Sequence, residues 1–292
     1  MIRGSRRSGT RLCSRPALRV RFLSMDSDAK RSVREFWNTS SCGEVYAEGE
    51  SMREQMLAQA EARYRLEPYL KPFARFDGSG KRVLEIGVGM GADHVEWAKS
   101  EPTYLAGIDL TPRAVEWTQH RLRLLNLSSD VALGDAENLG FEDDSFDVVY
   151  SWGVIHHSPN TSSAVDEILR VLRPGGVARI MVYHRPSVVG LLLWARYGFL
   201  GGKPRTTLST IYAKYLESPG TKGYTVSEAR SLFSGYHHLD IRPHISFGDL
   251  LDGKVGQGHS KTALEIARRC WPRPLVRHLH RFGLLLLIEA TK

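Results

Sequence analysis

The chain of 292 residues has only three cysteines, Cys13, Cys42 and Cys270. They are widely spaced and odd in number, which excludes a disulfide framework or a cysteine-based zinc pattern and fits a reducing compartment. Cys42, in "TSSCGE", reads as a plain reduced thiol. A bilayer-spanning run is also missing. The longest apolar stretch, "VVGLLLWARYGFL" from Val188 to Leu200, is broken by Arg196 and falls short of the roughly 20 residues a spanning helix needs. No internal repeat is present. Residues 1–25 contain no acidic residue but seven arginines, Arg3, Arg6, Arg7, Arg11, Arg15, Arg19 and Arg21. Such a segment has the composition of a mitochondrial or plastid transit peptide, or of a disordered basic leader, and in either case stands outside the fold. A cytoplasmic location is expected unless it directs the chain to an organelle. The formal charge of +8 resides there: without those seven arginines, 33 basic residues face 32 acidic ones. The body is close to neutral, which argues against a nucleic-acid partner.

What is present is alternation. Residues 26–80 read as helical, with "SMREQMLAQAEARYRLEPYL" placing Met52, Met56, Ala60 and Tyr64 near one stripe before Pro68. After "DGSG" the texture changes. "RVLEIGV", "YLAGIDL", "VALGDA", "FDVVYSW" and "VARIMVYH" read as strands. Between them lie helical runs such as "ADHVEWAKS", "RAVEWTQHRLRLLN" and "AVDEILRVL". This pattern predicts an α/β fold with a doubly wound, mostly parallel sheet whose ligand site lies at the carboxyl ends of the strands. The alternation lapses at 185–224 and again over a basic segment within 250–281. Residues 81–292 are therefore expected to form one domain with two insertions, preceded by a helical lid over 26–80.

The stretch "VLEIGVGMGAD" carries the first chemistry. Gly87, Gly89 and Gly91 fall where the first strand must turn into a helix, and glycine there accepts positive φ and lets backbone approach a ligand. Dinucleotide sites use a different spacing, G-x-G-x-x-G, with a pyrophosphate over the helix N-terminus. Here the third glycine comes one residue early, and Glu85 in the last turn of the strand would repel a pyrophosphate. A phosphate-free cation such as S-adenosylmethionine (SAM), with its ammonium and sulfonium, suits that carboxylate. Asp109 ends the second strand, where a carboxylate accepts ribose hydroxyls, and Leu110 beside it belongs to the same expected site. Asp109 as a helix cap is the competing reading, although Thr111 followed by Pro112 already fits a cap and first-turn pair. Asp135, at the tip of the third strand, is placed to accept an adenine amino group while Ala136 donates a backbone N–H.

Four segments, "VLEIGVGMGAD", "GIDLTPRAVEWT", "GDAENLGFEDDSFDVVYSWGVIHH" and "EILRVLRPGGVARIMVY", stand in the order and spacing of class I SAM-dependent methyltransferases. The chain resembles that family over about residues 82–183, in the branch acting on quinones, sterols and natural products. The resemblance implies a seven-stranded sheet with an antiparallel last strand, "HLDIRPHISF" and "GLLLLIEATK" supplying strands six and seven. It also implies that Glu85 and the glycines hold the methionine end of SAM, Asp109 the ribose, and Asp135 with Ala136 the adenine. Ser151 and Trp152 would border the methyl group.

The implied reaction is transfer of that methyl to an O, N or S atom of a small-molecule metabolite. The competing readings are C-methylation of a prenylated quinone or similar lipophilic ring, and a SAM-binding partner protein without catalysis. His156 and His157 follow strand four on the acceptor side, and one of them is expected to act as the base. No metal site is expected: the "HLH" near Arg277 has no carboxylate or cysteine beside it. The apolar 188–200 segment is expected to be a core helix, and peripheral membrane contact by it is compatible with its composition. The sequence leaves the oligomeric state open.

Overall fold

The computed structural model describes residues 27–254, 265 and 268–292. The arginine-rich N-terminal residues with Cys13, expected to form a leader, and most of the basic stretch between 255 and 267 lie outside the described residues. No helix among the described residues is long and apolar enough to cross a membrane.

Three helices precede the sheet: α1 (Asp28–Thr39), α2 (Met52–Leu66) and α3 (Leu70–Ala74). α2 starts at a capping box in which Ser51 and Glu54 satisfy each other's backbone N–H groups. The sheet then begins with β1 (Arg82–Ile86), α4 (Ala92–Lys99), β2 (Tyr104–Asp109), α5 (Pro112–Leu124), β3 (Asp130–Leu133) and β4 (Phe146–Trp152). It continues through α6 (Thr161–Val171), β5 (Leu172–Tyr183), α7 (Val188–Trp194), α8 (Leu208–Tyr215), α9 (Val226–Leu232) and β6 (His238–His244), to α10 (Arg273–Arg277) and β7 (Leu285–Thr291).

The seven strands lie in the order β3-β2-β1-β4-β5-β7-β6. β1 to β5 are parallel to their neighbours, and β7 runs antiparallel between β5 and β6. The expected doubly wound sheet with an antiparallel last strand is the observed one. "RPGG" does not precede β5 but bulges from it: Phe146 pairs with Leu172 and Val148 with Val177, and Gly175 takes φ of 77°.

Side-chain alternation sorts β1 and β4 onto two faces. Leu84, Ile86 and Val149 meet Ile168 of α6 and Phe233 behind α9 in the main core. Val83, Val148 and Tyr150 pack on the other face with Leu70 of α3 and Trp97 of α4. Glu85 shares the α4 face with Val83. This placement, with the strand order reversing between β1 and β4, opens a crevice at the carboxyl ends of β1 to β5.

Candidate active site

A cavity of about 930 Å³ occupies that crevice. Its floor is Glu85 to Asp93, Asp109 to Thr111 and Gly134 to Ala136, and its far side includes Trp152, His157, Met181 and Tyr183. Val33 and Trp37 of α1, Cys42, and Arg63 of α2 cover it, while Leu193, Leu200, Leu216 and Phe247 form an aliphatic and aromatic wall.

The glycine turn is built as the spacing predicts. Gly87, Gly89 and Gly91 have φ of 82°, 52° and 74°. A Cβ on Gly87 would meet Val154 at 2.1 Å and one on Gly91 would meet Thr118 at 2.8 Å, whereas at Gly89 nothing lies within 4 Å. Gly87 and Gly91 are glycines for packing; Gly89 leaves open space over the cavity floor.

Glu85 is buried and hydrogen-bonded to Nδ1 of His94 at 2.9 Å. His94 Nε2 lies 2.7 Å from Ser129 Oγ, which donates to the Leu105 carbonyl at 2.9 Å. Since the Ser129 proton is committed to Leu105, Nε2 carries the imidazole hydrogen and Nδ1 is the acceptor. Glu85 therefore holds the proton in this bond. Burial and the neighbouring Asp93 push its carboxyl well above the usual range, with Arg63 opposing, and burial brings His94 down to about 3. The sequence reading located Glu85 but missed His94.

Asp93 is the second residue it missed. Its carboxylate accepts from Arg63 at 2.8 and 2.5 Å, from Tyr150 at 2.8 Å and from Tyr64 at 3.1 Å. Despite burial, these partners hold it below the usual carboxylate value. The i, i+30 pairing of Asp93 with Arg63 ties α2 onto the start of α4, and no local pattern announces it. Glu67, buried beside Arg63, is raised to about 7, mainly by burial.

Asp109 accepts from Gly89 N at 3.1 Å and from Thr111 N and Oγ1 at 2.9 Å each. Thr111 itself caps α5, with Pro112 after it, so the helix does not use Asp109 as its cap. Asp135 lies at the other end of the floor, where Lys30 of α1 reaches its Oδ2 at 2.5 Å and Glu137 at 2.7 Å.

Two expected residues are not in the cavity wall. Ser151 alternates with Tyr150 and Trp152, so its side chain is wholly buried on the opposite face, with no hydrogen-bond partner for Oγ among the described residues. His156 is also wholly buried, in the tight turn Ile155–His157, and both ring nitrogens lack partners among the described residues. Burial drives its pKa well below the usual imidazole value. His157 does line the cavity, with Trp37 edge-on 5.2 Å away, and its Nε2 is 3.4 Å from Glu217. Tyr183 donates to the same Glu217 oxygen at 2.7 Å. Glu217 follows α8 inside the insertion and carried no signal in the sequence. Cys42 also faces this end. Its thiol is pushed up to about 12 by burial and by Glu217, which disfavours the thiolate.

Residues 84–180 match the family model of a methyltransferase domain. Phthiotriol/phenolphthiotriol dimycocerosates methyltransferase 1 of Mycobacterium ulcerans is 43% identical over 99 residues, 34% of this chain and 36% of that protein. The chain therefore aligns with well under half the length of such curated relatives. Among solved structures, a phosphoethanolamine N-methyltransferase 2 of Haemonchus contortus, in complex with S-adenosylhomocysteine, has a TM-score of 0.58 at 19% identity. It covers 89% of this chain and 60% of that one. The cyclase SpnF shares the fold at a TM-score of 0.52 and 15% identity, covering 89% and 92%. The architecture alone does not fix the reaction.

Proposed function

We propose that this chain is a class I SAM-dependent methyltransferase, a reading supported by the match of residues 84–180 to a methyltransferase domain, and that it transfers a methyl group to a lipophilic small molecule. The observation that carries the reading is one cavity with two unlike ends. Carboxyl groups from three successive strand tips, Glu85, Asp109 and Asp135, line its floor, and aliphatic side chains line the opposite wall.

The floor fits SAM. Gly89 leaves its Cβ position open, Glu85 can ionise toward a sulfonium or ammonium, and Asp109 stands where ribose hydroxyls would sit. Asp135 and Ala136 take the adenine, Lys30 sharing the Asp135 carboxylate, with Leu110 against the same nucleoside. When bound, SAM supplies an already activated methyl group. The chain's own contribution is then alignment, worth up to roughly 7–11 kcal/mol in favourable cases, and exclusion of water by α1 and α2, which act as the lid. Trp152 borders the transfer region. His157, Glu217 and Tyr183 gather at the acceptor end and favour an ionised acceptor; His156, out of the cavity, does not touch it.

The acceptor atom is proposed as O, N or S. C-methylation of a prenylated ring is the second reading, favoured by Leu193, Leu200 and Leu216. The mycobacterial relative's name, which specifies a lipid, supports a lipophilic acceptor in both. Methyl-labelled SAM incubated with a lipid-extract library is the test. Labelled product is expected, and His157→Ala should retain SAM binding while turnover falls roughly a hundredfold or more. Binding of a nicotinamide dinucleotide but not SAM would overturn the reading, and full turnover in His157→Ala would remove that residue's role.

A further inference from the structure

Behind the acceptor end lies a group of side chains that hydrogen bonding leaves incomplete. His156 is 0% exposed, and among the described residues neither Nδ1 nor Nε2 has a partner. Its ring sits between His157 and Tyr183, with centroids 4.2 and 4.1 Å away. Buried polar atoms are normally satisfied, and an orphaned one calls for a missing partner, often water or an ion.

His157 shows which partner fits. Its Nδ1 lies 2.9 Å from Ser218 Oγ and 3.1 Å from Thr221 Oγ1. Thr221 donates its own proton to the Ser218 carbonyl at 2.6 Å, so its oxygen accepts from the ring. With the imidazole hydrogen on Nδ1, donated to Thr221, the Nε2 lone pair faces the Glu217 carboxylate at 3.4 Å. Two electron-rich atoms face each other across a gap too long for a good hydrogen bond. The gap is close to the roughly 3.3 Å that separates two ligands, each about 2.0–2.1 Å from one tetrahedral ion.

The surroundings are those of a metal ligand set. Ser218 and Thr221 hold the far nitrogen of His157, and Tyr183 donates to Glu217 Oε2 at 2.7 Å. Such outer contacts orient ligating histidines and carboxylates. One ligand atom from each of His156, His157 and Glu217 falls within 4.8 Å of the others. The cation that bears on His156, Lys222, is turned to the carbonyls of Ser158 and Pro159.

We propose that His156, His157 and Glu217 bind one divalent transition-metal ion of the zinc type, with its remaining position open toward the cavity. Two histidines, one carboxylate and an open position form the ligand set of a catalytic rather than a structural site. Metal binding itself does not depend on methyl transfer. Its placement at the acceptor end rests on the proposed function and deepens it: the ionised acceptor is favoured by a bound cation rather than by a free imidazole.

The test is Zn²⁺ titration of the chelator-treated full chain against a chromophoric competitor, beside labelled-SAM binding and methyl transfer. One equivalent is expected to bind. His156→Ala and Glu217→Gln should weaken it about a hundredfold or more, and Tyr183→Phe and Ser218→Ala about tenfold to a hundredfold. SAM binding should be unchanged in His156→Ala. Should that variant fail to fold, the two outer variants carry the test. No stoichiometric binding, or binding insensitive to all four substitutions, overturns the metal site. Metal binding without methyl transfer to any acceptor would instead count against the proposed function.

Discussion

At the scale of single residues, Gly87 and Gly89 share the left-handed backbone but not the reason for it. A side chain at Gly87 collides with Val154 inside the protein, while one at Gly89 enters the space above the cavity floor. Gly89→Ala should therefore cost only the backbone strain, about 1 kcal/mol, and weaken SAM binding at least tenfold. Gly87→Ala should lower the melting temperature markedly. Calorimetry of both variants checks this, and equal destabilisation would contradict it. Glu85 gives a second prediction. Its carboxyl, raised by burial and bonded to His94, must ionise to face a cation, so binding releases a proton. A group with a raised pKa in the free protein and a lower one in the complex makes affinity rise with pH between the two values. SAM affinity is expected to weaken on acidification toward the ordinary carboxylate value of about 4.5. Isothermal titration in buffers of different ionisation heat would show the released proton, and Glu85→Gln should abolish that slope. The sequence revealed Glu85 as an acid at a glycine turn. Its protonation depends on His94 and Ser129, which reach it only after α4 and the segment before β3 have packed.

Among the elements, the N-terminal helices are attached by charge as well as by apolar contact. Arg63 of α2 closes a buried group with Asp93, Tyr64 and Tyr150, and Lys30 of α1 reaches Asp135 and Glu137. Removing one member of a buried ion pair strands its partner, at about 3–5 kcal/mol. Arg63→Ala should lose stability of that order in urea denaturation and make α2 accessible to limited proteolysis. A loss below about 1 kcal/mol would mean that α2 is held by apolar packing alone. Element identity was legible because period-2 and period-3.6 patterns alternate along the chain. Strand alternation also explains the misplacement of Ser151: next to Trp152 in sequence, it is on the opposite side of the sheet.

For the molecule as a whole, the cavity joins an acidic floor to an apolar wall, and in the proposed function the wall selects the acceptor. If acceptors enter beside Leu193, Leu200 and Leu216, kcat/KM should rise about fourfold for each methylene newly buried, the equivalent of about 0.8 kcal/mol. A homologous series of alkyl acceptors measures this, and a preference for the shortest, most polar member would argue against a lipophilic substrate. Expected charge placement carries over to this scale. With the seven arginines of residues 1–25 set aside, 33 basic residues face 32 acidic ones, and Glu85, Asp109 and Asp135 lie together at the strand tips.

That the glycine turn, Glu85, Asp109 and Asp135 share one cavity is legible from residue order, because each lies within a few residues of a strand end and the fold brings strand ends together. The α/β class is legible from the alternation of strand and helix patterns, and the antiparallel last strand from the family resemblance. Only the tertiary structure decided which of two adjacent histidines faces the cavity, and that Glu217, 60 residues further along, stands opposite His157. Such choices depend on how a turn and an insertion pack against the sheet. They follow from burial and contact rather than from any local period.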